Sequence, residues 1–152
     1  MMKRYSTILA LLATAFLGRV LGQFLVACSE VRGLPPMQEW YSGLIPYPIL
    51  FSIQLAILAL QFEISRQLWV GCGRFTEKHE RLGNSLKWFS LVYFLVMVIR
   101  YVVTMWYFPE RRWFGGTIPI FFHWVLAAYI YLFSRHQRGI ALPQTSHVKN
   151  IE

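Results

Sequence analysis

Charge is scarce in this chain. Only 14% of its 152 residues are Asp, Glu, Lys or Arg, against about 25% in an ordinary soluble domain. Acidic residues are the rarer sign, 7 against 15 basic ones. Cysteine is also rare: Cys28 and Cys72 form no Cys-x-x-Cys pair, which argues against a thiol redox enzyme. There is no internal repeat and no low-complexity segment. Gly71-x-Gly73 lacks the surroundings of a Walker or dinucleotide motif. The net charge of +8 comes with no basic groove or nucleic-acid-binding motif, so a nucleic-acid partner is rejected.

What fills the chain instead is apolar: 56% hydrophobic and 17% aromatic. A bilayer-spanning helix needs roughly 20 residues, and four such runs are present, at about 6–28, 46–69, 88–107 and 117–134. They take up more than half the chain and leave no separate soluble domain. The expected fold is an all-α integral membrane four-helix bundle over residues 1–138, followed by a polar mobile tail, 139–152. Lys3 and Arg4 before Thr7–Leu17 have the look of a signal peptide. However, the apolar character resumes after Arg19 and continues to Cys28, which predicts an uncleaved first helix. Gly18-x-x-x-Gly22 in that helix offers a small face for another helix.

Lys and Arg collect beside particular spans. They include Lys3 and Arg4 at the amino end, Arg74, Lys78, Arg81 and Lys87 in the middle connection, and Arg135 and Arg138 after the last span. The positive-inside rule then places both termini and the polar connection Val70–Lys87 in the cytoplasm of a plasma (inner) membrane protein. Cys28 and Cys72 fall at opposite faces, too far apart to pair. Pro35, Pro36 and the Trp40-Tyr41 pair suit a loop at headgroup level. Glu63 and Arg66, three residues apart, read as a surface ion pair.

In this orientation five polar side chains from four spans share one depth: Arg19 and Gln23, Gln54, Arg100, and His123. Gln54, Gln61 and Ser65 lie on one face of the second span, and Tyr93, Met97 and Thr104 on a face similar to that of Arg100. An arginine at membrane depth costs roughly 2.5–3.5 kcal/mol on insertion scales, so it must face protein, water or ligand. Two arginines and a histidine at one level, without a carboxylate inside the spans there, leave positive charge unbalanced. Glu30 or Glu39 from the first loop could fold down as counter-charges, or an anion could enter; both stay open. A guanidinium presents a planar fork suited to carboxylate or phosphate.

The run Leu17-Gly-Arg-Val-Leu-Gly-Gln-Phe-Leu-Val-Ala resembles the first-helix pattern of the DoxX-like family of small four-helix membrane proteins. Gly43-Leu-Ile-Pro-Tyr-Pro, before a second helix ending Glu63…Gly71-Cys-Gly-Arg74, is similar to it as well. The resemblance spans about half the chain and implies a four-helix bundle with an accessory or quinone-linked role.

The reading taken forward is a polar pocket in the outer half of the bilayer. It binds an anionic, lipid-like or quinone-like ligand in a non-catalytic or accessory subunit. The alternative is a purely structural or assembly partner within a larger membrane complex, or a homo-oligomer. A membrane redox subunit ranks behind both, because only His123 lies inside a span and bis-histidine haem needs two. No catalytic residue and no metal site are assigned.

Overall fold

The computed structural model describes residues 2–29, 40, 45–107 and 118–140. Within them the chain is four α-helices: α1 (Met2–Cys28), α2 (Tyr47–Val70), α3 (Glu80–Tyr107) and α4 (Ile118–Gln137). Each is long and apolar enough to cross a membrane. Glu30, Glu39 and all but the first two residues of the expected tail lie outside the described residues.

The helices are arranged as a row, α2–α1–α4–α3, in which each touches only its neighbours in that order at the backbone level. Contacts at both ends make neighbours antiparallel. Ser6, early in α1, donates to the Ser65 carbonyl late in α2 (2.6 Å), while Gln54, early in α2, reaches Gln23, late in α1. Tyr5 of α1 donates its hydroxyl to the Ile140 carbonyl just past α4.

One stripe of α1 does most of the packing. Tyr5, Leu9, Ala13, Phe16, Val20 and Gln23 recur every three or four residues and are all buried, the spacing of a single helix face. Leu9 and Ala13 meet Ile64 and Leu68 of α2 and Tyr129 and Phe133 of α4. Phe16 and Val20 meet Leu58, with Phe122 alongside. On α2 the buried stripe is partly polar, with Gln54, Gln61 and Ser65 inside, while Ile49, Ile53, Leu55 and Leu60 are exposed. That inversion suits a hydrocarbon surround. Lipid covers apolar side chains at no cost, and a buried amide such as that of Gln54 can find a partner on another helix. In α3 the same logic goes further. Only 6% of its most apolar stretch is buried, and Trp88, Leu95, Ile99 and Val102 face outward.

The connection between α2 and α3 differs from the long polar loop expected over Val70–Lys87. Helix α3 starts at Glu80 rather than near Trp88, because polar residues extend a helix that hydropathy ends at the apolar boundary. Helix α2 stops at Gly71, whose φ of 76° and ψ of 20° are left-handed; its N–H bonds the Gln67 carbonyl, a glycine cap. Buried Gln137 then holds the turn, accepting from the His79 N–H (3.1 Å) and donating to the Phe75 carbonyl (3.0 Å). Phe75 packs edge-on against Phe133. Glu63 and Arg66 form the surface pair at 2.7 Å. Both cysteines are free and exposed.

Among the described residues, the nearest neighbour of the Gly18-x-x-x-Gly22 face is the Trp40 side chain, on Gly22. A Cβ on Gly22 would lie 2.9 Å from the Trp40 ring, while one on Gly18 would meet nothing within 4 Å. The close approach that glycine permits is used by an indole.

Candidate functional site

Toward the end of the bundle where α2 and α4 begin, the row of helices leaves a cavity of about 180 Å³. Arg19 and Phe16 reach it from α1, Gln54 and Ile53 from α2, Tyr93 and Arg100 from α3, and Phe122 and His123 from α4. Gln23 is fully buried behind it, accepting from Gln54 Nε2 at 3.1 Å. The five polar side chains singled out from the sequence are thus brought to one region. Their depths agree because each lies five to nine residues from the helix terminus at that end, about 7–14 Å at 1.5 Å per residue.

Arg19 is 8% exposed. Its Nη2 donates to the Trp40 carbonyl at 3.3 Å, and its guanidinium lies 5.9 Å from the Phe122 ring centre. Among the described residues its Nε has no hydrogen-bond partner. A long bond to a neutral carbonyl and a ring face compensate a buried cation only partly. Removing such a charge from water without an opposite charge leaves a penalty of several kcal/mol. Arg100 lies on an exposed part of α3 while lining the same cavity. Among the described residues the one ion pair is Glu63–Arg66, so neither cavity arginine has a carboxylate there.

His123 and Tyr93 line the cavity from α4 and α3. The Tyr93 hydroxyl and His123 Nδ1 are 2.5 Å apart, and the rings meet edge to face at 87°. This pair orients the imidazole and joins α3 to α4 at the level of the arginines. Gln54 offers a further polar atom: its Oε1 is buried without a partner among the described residues. The site therefore presents two cations, an amide and an imidazole–phenol pair on otherwise apolar walls. Such a lining can donate charge-assisted hydrogen bonds to an acceptor group.

Sequence reasoning did not assign Tyr93, Trp40, Phe16 or Phe122 to the site. Tyr93 carries a usable signal, since it precedes Arg100 by seven residues, two helical turns. Trp40 carries none: its burial over Gly22 is a tertiary contact between residues 18 positions apart. Glu30 and Glu39, the candidate counter-charges, lie outside the described residues.

A second buried polar level lies further along the bundle. The Tyr129 hydroxyl donates to the Gln61 carbonyl (2.7 Å), as does Ser65 Oγ (2.9 Å). The Gln61 amide itself, 3% exposed, has no partner for Nε2 or Oε1 among the described residues. Phe16, Val20 and Leu58 lie between this level and the cavity. Among the described residues no three His, Cys or Glu side chains gather to hold a metal ion. Comparisons of the chain with protein-family models, with curated proteins and with solved structures found no match in any of the three.

Proposed function

We propose that this protein is a multi-pass plasma-membrane protein with both termini cytoplasmic. Its polar cavity, in the outer half of the bilayer, binds an anionic, lipid-like or quinone-like ligand in a non-catalytic or accessory role. One observation carries the reading. Arg19 and Arg100 line the same cavity with Gln54 and His123, and no described carboxylate pairs with either guanidinium. Two cations in an apolar wall stabilise a bound anion through charge-assisted hydrogen bonds of about 1.5–3 kcal/mol each. Membership of the DoxX-like family, with its quinone-linked or accessory role, belongs to the same proposal and rests on the resemblance of the first helix and of the stretch leading into and ending the second.

The test is native mass spectrometry of protein released from gentle detergent, comparing wild type with an Arg19→Met, Arg100→Met double variant. The expected result is a bound small molecule of defined mass on the wild type only. A wild type that flies bare, beside a variant that no longer folds, would instead assign the arginines to internal pairing. The protein would then be read as a structural or assembly partner.

A further inference from the structure

The size and openness of the cavity narrow the ligand further, given the reading above that Arg19 and Arg100 hold an anion. A cavity of about 150 Å³ accepts a benzene, whereas pockets that enclose drug-sized ligands run to roughly 300–1,000 Å³. At about 180 Å³ this one has room for a head group and none for a whole lipid. The remainder of any lipid-like ligand must lie outside, and the helix order provides the place. Side chains from both α2 and α3 line the cavity, yet no Cα of α2 comes within 8 Å of any Cα of α3. Among the described residues the two helices are the ends of the row and flank a gap, with α1 and α4 behind it. The wall reaches the surface on both flanks, for Ile53 of α2 is 45% exposed and Arg100 of α3 is exposed. Ile53 and Ile57 give the α2 flank an apolar lining suited to hydrocarbon.

We propose that the cavity takes the acid head, phosphate or carboxylate, of a single-chain amphiphile that enters sideways from the bilayer between α2 and α3. The head sits between buried Arg19 and Arg100 at the mouth, and the tail stays in the gap. Two guanidiniums call for formal negative charge. A quinone ring carries no formal charge and, among the described residues, would leave buried Arg19 without an opposite charge.

The experiment uses the full chain in nanodiscs of zwitterionic phosphatidylcholine, with dodecyl phosphate carrying a diazirine on its chain as photoprobe. Labelled residues are mapped by mass spectrometry. Label is expected on α2 and α3 beside the gap. Unlabelled dodecyl phosphate should compete for it, while inorganic phosphate and dodecanol should compete at least about tenfold more weakly, as the loss of one charge-assisted or apolar contact implies. Ile53→Trp, at an exposed position, should cut labelling by narrowing the gap while both arginines remain in the sequence. Dodecanoate run beside dodecyl phosphate decides which acid is preferred. Equal competition by dodecanol or by inorganic phosphate overturns the proposal. Label that depends on the arginines but falls away from α2 and α3 overturns sideways entry and leaves the anion site standing. Label unchanged in a folded Arg19→Met, Arg100→Met variant removes the anion site itself. Should that variant not fold, Arg100→Met alone serves, since its side chain is exposed.

Discussion

Two glycines one helical turn apart should respond differently to the same substitution. Replacing glycine by alanine inside a helix gains about 0.8–1 kcal/mol of intrinsic propensity, and at Gly18 nothing opposes the gain, because a new methyl meets no atom within 4 Å. At Gly22 the methyl would sit 2.9 and 3.1 Å from two carbons of the Trp40 ring. Such overpacking costs typically about 1–3 kcal/mol, so the net change runs from near zero to a loss of about 2 kcal/mol. The Trp40 carbonyl also accepts from Arg19, so an indole pushed off Gly22 loosens the hydrogen bond that holds the guanidinium. The assay is reversible unfolding in mixed detergent, followed by circular dichroism, on Gly18→Ala, Gly22→Ala and Gly22→Ala with Trp40→Leu. Gly18→Ala should stabilise, Gly22→Ala should not, and the smaller leucine side chain of the double variant should restore part of the difference. Equal stabilisation by both alanines would refute the placement of Trp40 over α1 and, with it, this account of the Arg19 environment.

Three further outcomes are expected. Gln61→Met removes a buried amide with neither end partnered among the described residues, and should raise stability by about 1–3 kcal/mol in the same unfolding assay; a loss would reveal an ordered water bonded there. Gln137→Ala should leave the helices intact but speed amide exchange over Phe75–His79, because the side chain that holds both groups is gone; unchanged protection would mean that Phe75 packing alone secures the turn. A membrane-impermeant maleimide should label exposed Cys28 from outside and exposed Cys72 only after the membrane is opened; the reverse pattern would invert the proposed topology.

Much of the site was legible without coordinates, since a helix converts residue number into depth. Knowing that Arg19, Gln54, Arg100 and His123 sit in apolar runs of about the bilayer's thickness suffices to bring them to one level. Which of them share a cavity was not legible. In lipid the outward faces are as apolar as the packed ones, so the mostly apolar α3 carries no pattern that names its neighbour, even though Tyr93 and Arg100 share a face. The same blindness hid the start of α3 at Glu80, where a polar extension continues a helix that hydropathy has already ended.

By itself, then, the sequence determined the four helices, their all-helical class and the depth of the polar side chains. Each depends on local properties: run length, apolar composition and rise per residue. Only the tertiary structure decided the order α2–α1–α4–α3, the gap between α2 and α3, the seating of Trp40 on Gly22 and the pairing of Tyr93 with His123. Those depend on which surfaces fit together. In a bilayer, shape and a few hydrogen bonds set that choice, because hydrophobicity is the same on every side.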